Sequence, residues 1–231
     1  SYQIDSFHKH DPAPPGAPHR PDACEKAACP LSSPVFRTQD CTLMSLKLHV
    51  IICSTRPGRV GPAVARWFHG FARQHGGFDA ELVDLADFKL PLYDEPVHPR
   101  MQQYEHEHTK RWSASVAAAD AYVFVMPEYN YMPSPALTNA LDYVYREWNY
   151  KPCGFVGYGG VSGGLRAVQM ARLHATTLKM MPMVEGVAIP MVASLLDDGG
   201  QFGSNELIDA SARSLLDELL RWADALRPMR A

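Results

Sequence analysis

From residue 46 onward the chain alternates five short apolar runs with five helical patterns, and this alternation limits the possible folds more than any other feature. Residues 46–53 (LKLHVIIC), 78–85, 121–126 (AYVFVM), 151–157 (KPCGFVG) and 184–189 each read as a strand bounded by turn residues. Charged residues interrupt the second of these. Val64, Phe68, Phe71 and Ala72 share one face of a helix that Pro62 opens and Gly76-Gly77 stops. Further helices are expected over residues 104–119, 135–148, from a glycine-rich stretch to about residue 181, and 206–226. Residues 86–104, with Pro91, Pro96 and Pro99, read as a long loop. Strand–helix alternation favours a parallel sheet covered by helices on both faces. The expected fold is therefore an α/β three-layer sandwich with a five-stranded parallel sheet. In open sheets of this kind, ligands bind beyond the C-terminal strand ends, where the strand order reverses. The loops after the first, third and fourth strands occupy that place.

The first 43 residues differ. They hold seven of the 19 prolines and show no apolar periodicity. Such a stretch cannot bury enough surface to offset its ordering entropy, so residues 1–43 are expected to be a disordered extension and 44–231 the folded domain. Met44 is a candidate natural start. A mitochondrial presequence is disfavoured by Asp5, Asp11, Asp22, Glu25 and Asp40, and no basic-then-apolar secretory signal is present.

The formal net charge is -3, so there is no basic footprint for nucleic acid and no polybasic membrane signal. No run reaches the roughly 18 apolar residues of a membrane helix. Five cysteines without a tight pattern read as reduced thiols of a cytoplasmic protein. Cys24 and Cys29 lack a second pair of ligands at zinc spacing. The stretch Glu105-His106-Glu107-His108 reads as a solvated helix start, because residues two apart on a helix face different ways. Met180, Met181 and Met183 read as core filler. Tyr143, Tyr145 and Trp148 read either as core or as a subunit contact.

The loop after the first strand is Cys53-Ser54-Thr55-Arg56-Pro57-Gly58-Arg59-Val60-Gly61. Hydroxyls, two guanidinium groups and free amides at a helix start favour a bound phosphate. Neither the mononucleotide Gly-Lys-Ser/Thr signature nor the dinucleotide glycine fingerprint is present. Cys53 and Arg59 also have the spacing of protein tyrosine phosphatases, in which the cysteine is a thiolate nucleophile. That alternative lacks the hydroxyl residue after the arginine, where Val60 stands. It also lacks an Asp-Pro general acid outside residues 1–43. The loop after the third strand, Pro127-Glu128-Tyr129-Asn130-Tyr131-Met132-Pro133-Ser134-Pro135, is stiffened by three prolines. It reads either as a rigid connection or as a platform for a flat ring.

Four segments decide between these readings. Ser54-Thr55-Arg56-Pro57-Gly58-Arg59, Pro127-Glu128-Tyr129-Asn130-Tyr131, Asn139-Ala140-Leu141-Asp142-Tyr143 and Tyr158-Gly159-Gly160-Val161-Ser162-Gly163-Gly164 occur together in this order. The sequence from about residue 44 to 192 thereby resembles the NADPH-dependent FMN reductase family of flavodoxin-like quinone and azo-dye reductases. The resemblance implies an FMN phosphate held at Ser54, Arg56, Arg59 and Val60, and a flavin ring met by Pro127, Glu128, Tyr129 and Asn130. It implies closure from the far side by Tyr158, Gly159, Gly160 and Ser162. It implies electron transfer from NADPH or NADH through FMN to a quinone, free flavin or azo compound, with ping-pong kinetics, in a homodimer or homotetramer. An FMN-binding carrier with little turnover is the second reading. No catalytic base is implied, since the cofactor carries the hard chemistry. Cys53 stands where the family generally has glycine. A side chain there is expected to crowd the phosphate if the backbone must approach it.

Overall fold

The computed structural model describes residues 45–230. The extension expected over residues 1–43, and Cys24 and Cys29 within it, lie outside the described residues. Six strands build the sheet: β1 (Leu46–Ile52), β2 (Phe78–Asp84), β3 (Ala121–Pro127), β4 (Pro152–Tyr158), β5 (Met181–Pro182) and β6 (Val187–Ile189). All pairings are parallel, in the order β2-β1-β3-β4-β5, with β6 also on β4. The expected fifth strand is thus two short pieces sharing one edge position: β5 pairs with the start of β4 and β6 with its end. The order 2-1-3-4-5 is the flavodoxin order, whose switch point falls between β1 and β3.

The helices are α1 (Gly61–His75), α2 (Leu85–Phe88), α3 (Glu107–Ala118), α4 (Pro135–Asp142), α5 (Leu165–Thr177) and α6 (Glu206–Leu226). Side-chain alternation along β1 sorts them into two layers. Leu48, Val50 and Ile52 pack with Val64 and Phe68 of α1 and Leu215, Leu216 and Leu219 of α6. Ile51 and Cys53 face the other way, toward Trp112 of α3, Leu137 and Leu141 of α4 and Val168 of α5. β3 and β4 are buried throughout, as central strands covered on both faces are. β2 alternates in exposure, which accounts for its charged residues.

Two helices are shorter than their apolar spacing implied. The helix expected over 135–148 ends at Asp142, and a 3-10 turn, Arg146–Trp148, replaces its last part. Tyr143, Val144 and Trp148 are all buried at this end. Tyr143 and Trp148 are therefore core residues; Met180 and Met183 are too. The helix expected from 104 begins at Glu107, with His106 an extended N-cap. That extended residue lets the His106 and His108 rings stack at 5.2 Å and share Asp94, so they do not diverge as two helical residues would.

Candidate active site

The three loops at the C-terminal strand ends come together through contacts between their own residues. Val60 caps α1 without a side-chain bond, and Pro62 occupies its first turn. Among the described residues, the amides of Thr55, Arg56, Gly58, Arg59, Val60 and Gly61 donate to no protein acceptor. They form a run of free donors at a helix N-terminus, which is the geometry that binds phosphate. No room is left beneath them. A Cβ on Gly61 would lie 2.3 Å from Ser54 Oγ and 2.8 Å from the Tyr158 hydroxyl. That hydroxyl donates to Ser54 Oγ at 3.2 Å, tying the first loop to the end of β4. Ser54 is buried, so its hydroxyl supports the loop from below. Burial raises the Tyr158 phenol well above its ordinary range and keeps it a donor.

The two loop arginines play different parts. Arg59 donates from Nη1 to Asp84 Oδ1 at 2.7 Å and from Nη2 to Oδ2 at 2.6 Å, and its Nη1 also reaches the Ser54 carbonyl. Asp84 in turn caps α2 through the Ala86 amide at 3.0 Å. Arg59 therefore braces the loop against β2 with its guanidinium, while its amide has no protein acceptor. Arg56 is exposed and has no partner among the described residues.

In the second loop, Tyr129 and Met132 exchange backbone hydrogen bonds at 3.0 and 2.9 Å. Asn130 and Tyr131 between them both have positive φ, 51° and 74°. This is the pattern of a two-residue type I′ hairpin, built here without glycine. The Asn130 and Tyr131 amides point out of it without a protein acceptor. The Glu128 amide is used by the Tyr158 carbonyl. Its carboxylate is used by the N-terminus of α5: it accepts from Arg166 Nε at 2.7 Å and from the Arg166 and Ala167 amides at 3.1 and 3.4 Å. Burial pushes the Glu128 carboxyl up, but hydrogen bonds from Arg166, Ser162 and Ala167 outweigh this and hold it below its usual value. Arg166 also lies over the Tyr131 ring, 3.8 Å from its centroid.

The third loop has the same character. Gly159 donates to the Ile189 carbonyl at 3.2 Å, while the amides of Gly160, Val161 and Ser162 have no protein acceptor. Gly164, at φ 82°, admits no side chain, since a Cβ would lie 2.5 Å from the Tyr158 amide. All twelve residues expected from the sequence thus fall at one end of the sheet. Several act through structure that the sequence did not reveal: Asp84, Gly61, Arg166 and Ser134. Ser134 caps α4 and donates to the Cys53 carbonyl, joining the first two loops. Asn139 and Tyr143, both in the quoted motifs, hold the Pro91 carbonyl, which fixes the strap beside the site. Next to Thr55 a cleft of about 430 Å³ opens between Leu85, Leu92 and Ala136.

The phosphatase alternative fails on this geometry. Cys53 is fully buried among the residues of the α3–α5 layer, and its thiol donates to the Ile51 carbonyl at 3.3 Å. Burial, with the nearby Asp84 carboxylate second, pushes the thiol far above its ordinary range, the opposite of an activated nucleophile. The same inward orientation removes the expected crowding of the phosphate loop, since strand alternation turns Cys53 away from α1.

The NADPH-dependent FMN reductase family model matches residues 46–194. The chain belongs to this family. An NAD(P)H-dependent FMN reductase of Schizosaccharomyces pombe is 40% identical over 160 residues, 63% of this chain and 80% of the relative. A quinone reductase of Pseudomonas putida is 31% identical over 62% of this chain and 76% of its own length. Among solved structures, the flavoenzyme NAD(P)H:(acceptor) oxidoreductase FerB from Paracoccus denitrificans superposes with a TM-score of 0.61 at 20% identity, over 78% of this chain and 98% of that one. That likeness shows the fold. Family membership makes the chain an NAD(P)H-dependent oxidoreductase with FMN as cofactor. The free amides of all three loops and the closely packed Gly61 fit that cofactor's phosphate and the polar edge of its ring.

Proposed function

We propose that the chain delivers electrons from NADPH or NADH, through FMN, to a quinone, an azo compound or free flavin. What carries this reading is the convergence of three sets of unpartnered amides on one sheet edge, in a chain of this family. FMN, when bound, supplies the redox chemistry, accepting hydride from nicotinamide and passing electrons on. The protein's part is preorganisation. The amides of Thr55, Arg56 and Gly58 to Gly61, with the α1 dipole, hold the phosphate, and the exposed Arg56 guanidinium adds charge from outside. The hairpin offers the Asn130 and Tyr131 amides to the ring, and Gly160, Val161 and Ser162 offer theirs from the third loop. Pro127, Glu128, Tyr129, Tyr158 and Gly159 hold these donors in place. Ser54 and Arg59 fix the first loop, and Val60 contributes its amide. The quinone acceptor is supported by the named activity of the Pseudomonas putida relative.

The homodimer is supported by Val161, Leu165, Met170 and Leu173, exposed apolar residues along α5 and the loop before it. Leu165 and Leu173 share one helix face, and such patches mark interaction surfaces. A mass by light scattering of twice the chain supports this; a monomer at micromolar concentration contradicts it. A cytoplasmic location is supported by the free thiols Cys53 and Cys153. Among the described residues no helix is long and apolar enough to cross a membrane.

Turnover tests the activity. The FMN-loaded protein is expected to oxidise NADPH steadily when a quinone is added. Reduction that stops after one equivalent per flavin would favour the carrier reading instead.

A further inference from the structure

A concavity of about 910 Å³ lies at the opposite end of the sheet from the flavin loops. It opens where β3 and β4 begin, about 20 Å away at the rise of a strand. Five cationic side chains line it: Arg100, Arg146, Lys151, Lys179 and Arg230. In a chain of net charge -3 this is not a general excess of base. The two lining carboxylates are already engaged. Asp120 accepts from the Lys47 amide at 2.8 Å and pairs with Arg230 at 3.3 Å. Glu147 accepts from Ser113 Oγ at 2.6 Å and the Tyr104 hydroxyl at 2.9 Å.

The other four cations have no carboxylate partner among the described residues. Lys151, 8% exposed, spends its three N–H bonds on the Val116 and Ala117 carbonyls and the Tyr122 hydroxyl, at 2.9, 3.1 and 3.1 Å. Its ammonium group is held in place in the wall. Arg146 uses only Nε, on the Arg100 carbonyl at 3.1 Å. Arg100 gives one Nη to the Tyr145 hydroxyl at 3.2 Å and lies over that ring. Lys179 gives one bond to Tyr150 at 3.3 Å. Several guanidinium and ammonium donors therefore remain for a ligand.

Like charges gathered in a concavity raise the local potential, and an anion lowers that energy. Guanidinium forks match phosphate oxygens in particular. The volume exceeds what one phosphate fills. We propose that this cavity is a second anion site, separate from the flavin site, that takes a small molecule with two linked phosphoryl groups through Arg100, Arg146 and Lys179.

The test is calorimetric titration of FMN-saturated protein with inorganic pyrophosphate, at an ionic strength matched with sodium chloride. Saturable binding of one pyrophosphate per chain, without release of FMN, is expected. Arg146→Gln combined with Lys179→Gln is expected to weaken it by about tenfold or more, the loss of two charge-assisted contacts, with FMN affinity unchanged. Both side chains are exposed, so the variant keeps its fold. A pyrophosphate-dependent rise in melting temperature, lost in the variant, is a second readout. Tighter binding of adenosine diphosphate than of pyrophosphate would identify a nucleotide as the source of the phosphates, and the reverse a polyphosphate. Absence of binding at millimolar pyrophosphate, binding only with loss of FMN, or equal affinity in the double variant would overturn the proposal. FMN binding is read separately, so failure here leaves the flavin assignment standing.

Discussion

Arg59 meets Asp84 through two parallel hydrogen bonds, at 2.7 and 2.6 Å, which engage its guanidinium within the protein. The Asp84 hydrogen bond also raises the Arg59 pKa, so the guanidinium stays charged. Asp84→Ala is expected to cost about 2 kcal/mol in urea unfolding, typical for charge-assisted hydrogen bonds. It should also weaken FMN binding about tenfold, because the loop loses its preorganisation. Tighter FMN binding in this variant would instead show that the released guanidinium is a phosphate ligand.

Gly61→Ala tests the space beneath the first loop. The added methyl would overlap Ser54 Oγ and the Tyr158 hydroxyl. Either the loop or the Ser54–Tyr158 hydrogen bond must move. FMN affinity, measured by quenching of flavin fluorescence, is expected to fall by about tenfold or more, with a destabilisation of about 1–3 kcal/mol from overpacking. Unchanged affinity would mean that the loop does not need this close approach.

The sequence showed the layers because they rest on local pattern. The runs at 46–53, 121–126 and 151–157 are apolar enough to be central strands, and Glu206–Leu226 shows a continuous apolar face. It showed which loops meet at one end of the sheet, because loop chemistry is local too. What it hid depends on register. Asp84 reaches Arg59 only because β1 and β2 pair with Ile52 opposite Asp84, and nothing within 25 residues of chain announces that pairing. The split edge strand was hidden because Met181–Pro182 is too short to carry a period. The direction of Cys53 was legible in principle from alternation with Ile51, yet its five-residue spacing to Arg59 drew attention to the loop.

Cys53 itself yields a third prediction. Since its thiol is buried and kept protonated, Cys53→Ala is expected to leave NADPH oxidation within about twofold, with a stability loss of about 1 kcal/mol for a small cavity. In the native protein Cys53 should resist thiol reagents, as read by mass spectrometry of labelled peptides. Rapid labelling, or loss of activity in the alanine variant, would reopen a role for the thiolate.

Lys151 predicts a pH dependence. Burial, with Arg230 second, lowers its pKa from 10.5 to about 8. The folded state therefore holds fewer protons than the unfolded state between those values, and stability gains from this group as pH rises through the window. The cost is full below about pH 8 and gone above about 10.5, on the order of 3 kcal/mol at most. Relative to Lys151→Met, the wild type is expected to gain stability between about pH 7 and pH 10 in denaturant titrations. Parallel profiles would contradict the lowered pKa.

FMN titration of the cofactor-free protein probes the free amides of the three loops most directly, followed by flavin fluorescence and by melting temperature. Saturable binding of one FMN per chain is predicted, with quenched emission, a raised melting temperature, and affinity lost in Gly61→Ala but kept in Cys53→Ala. Flavin emission and melting temperature both unmoved by saturating FMN would contradict it.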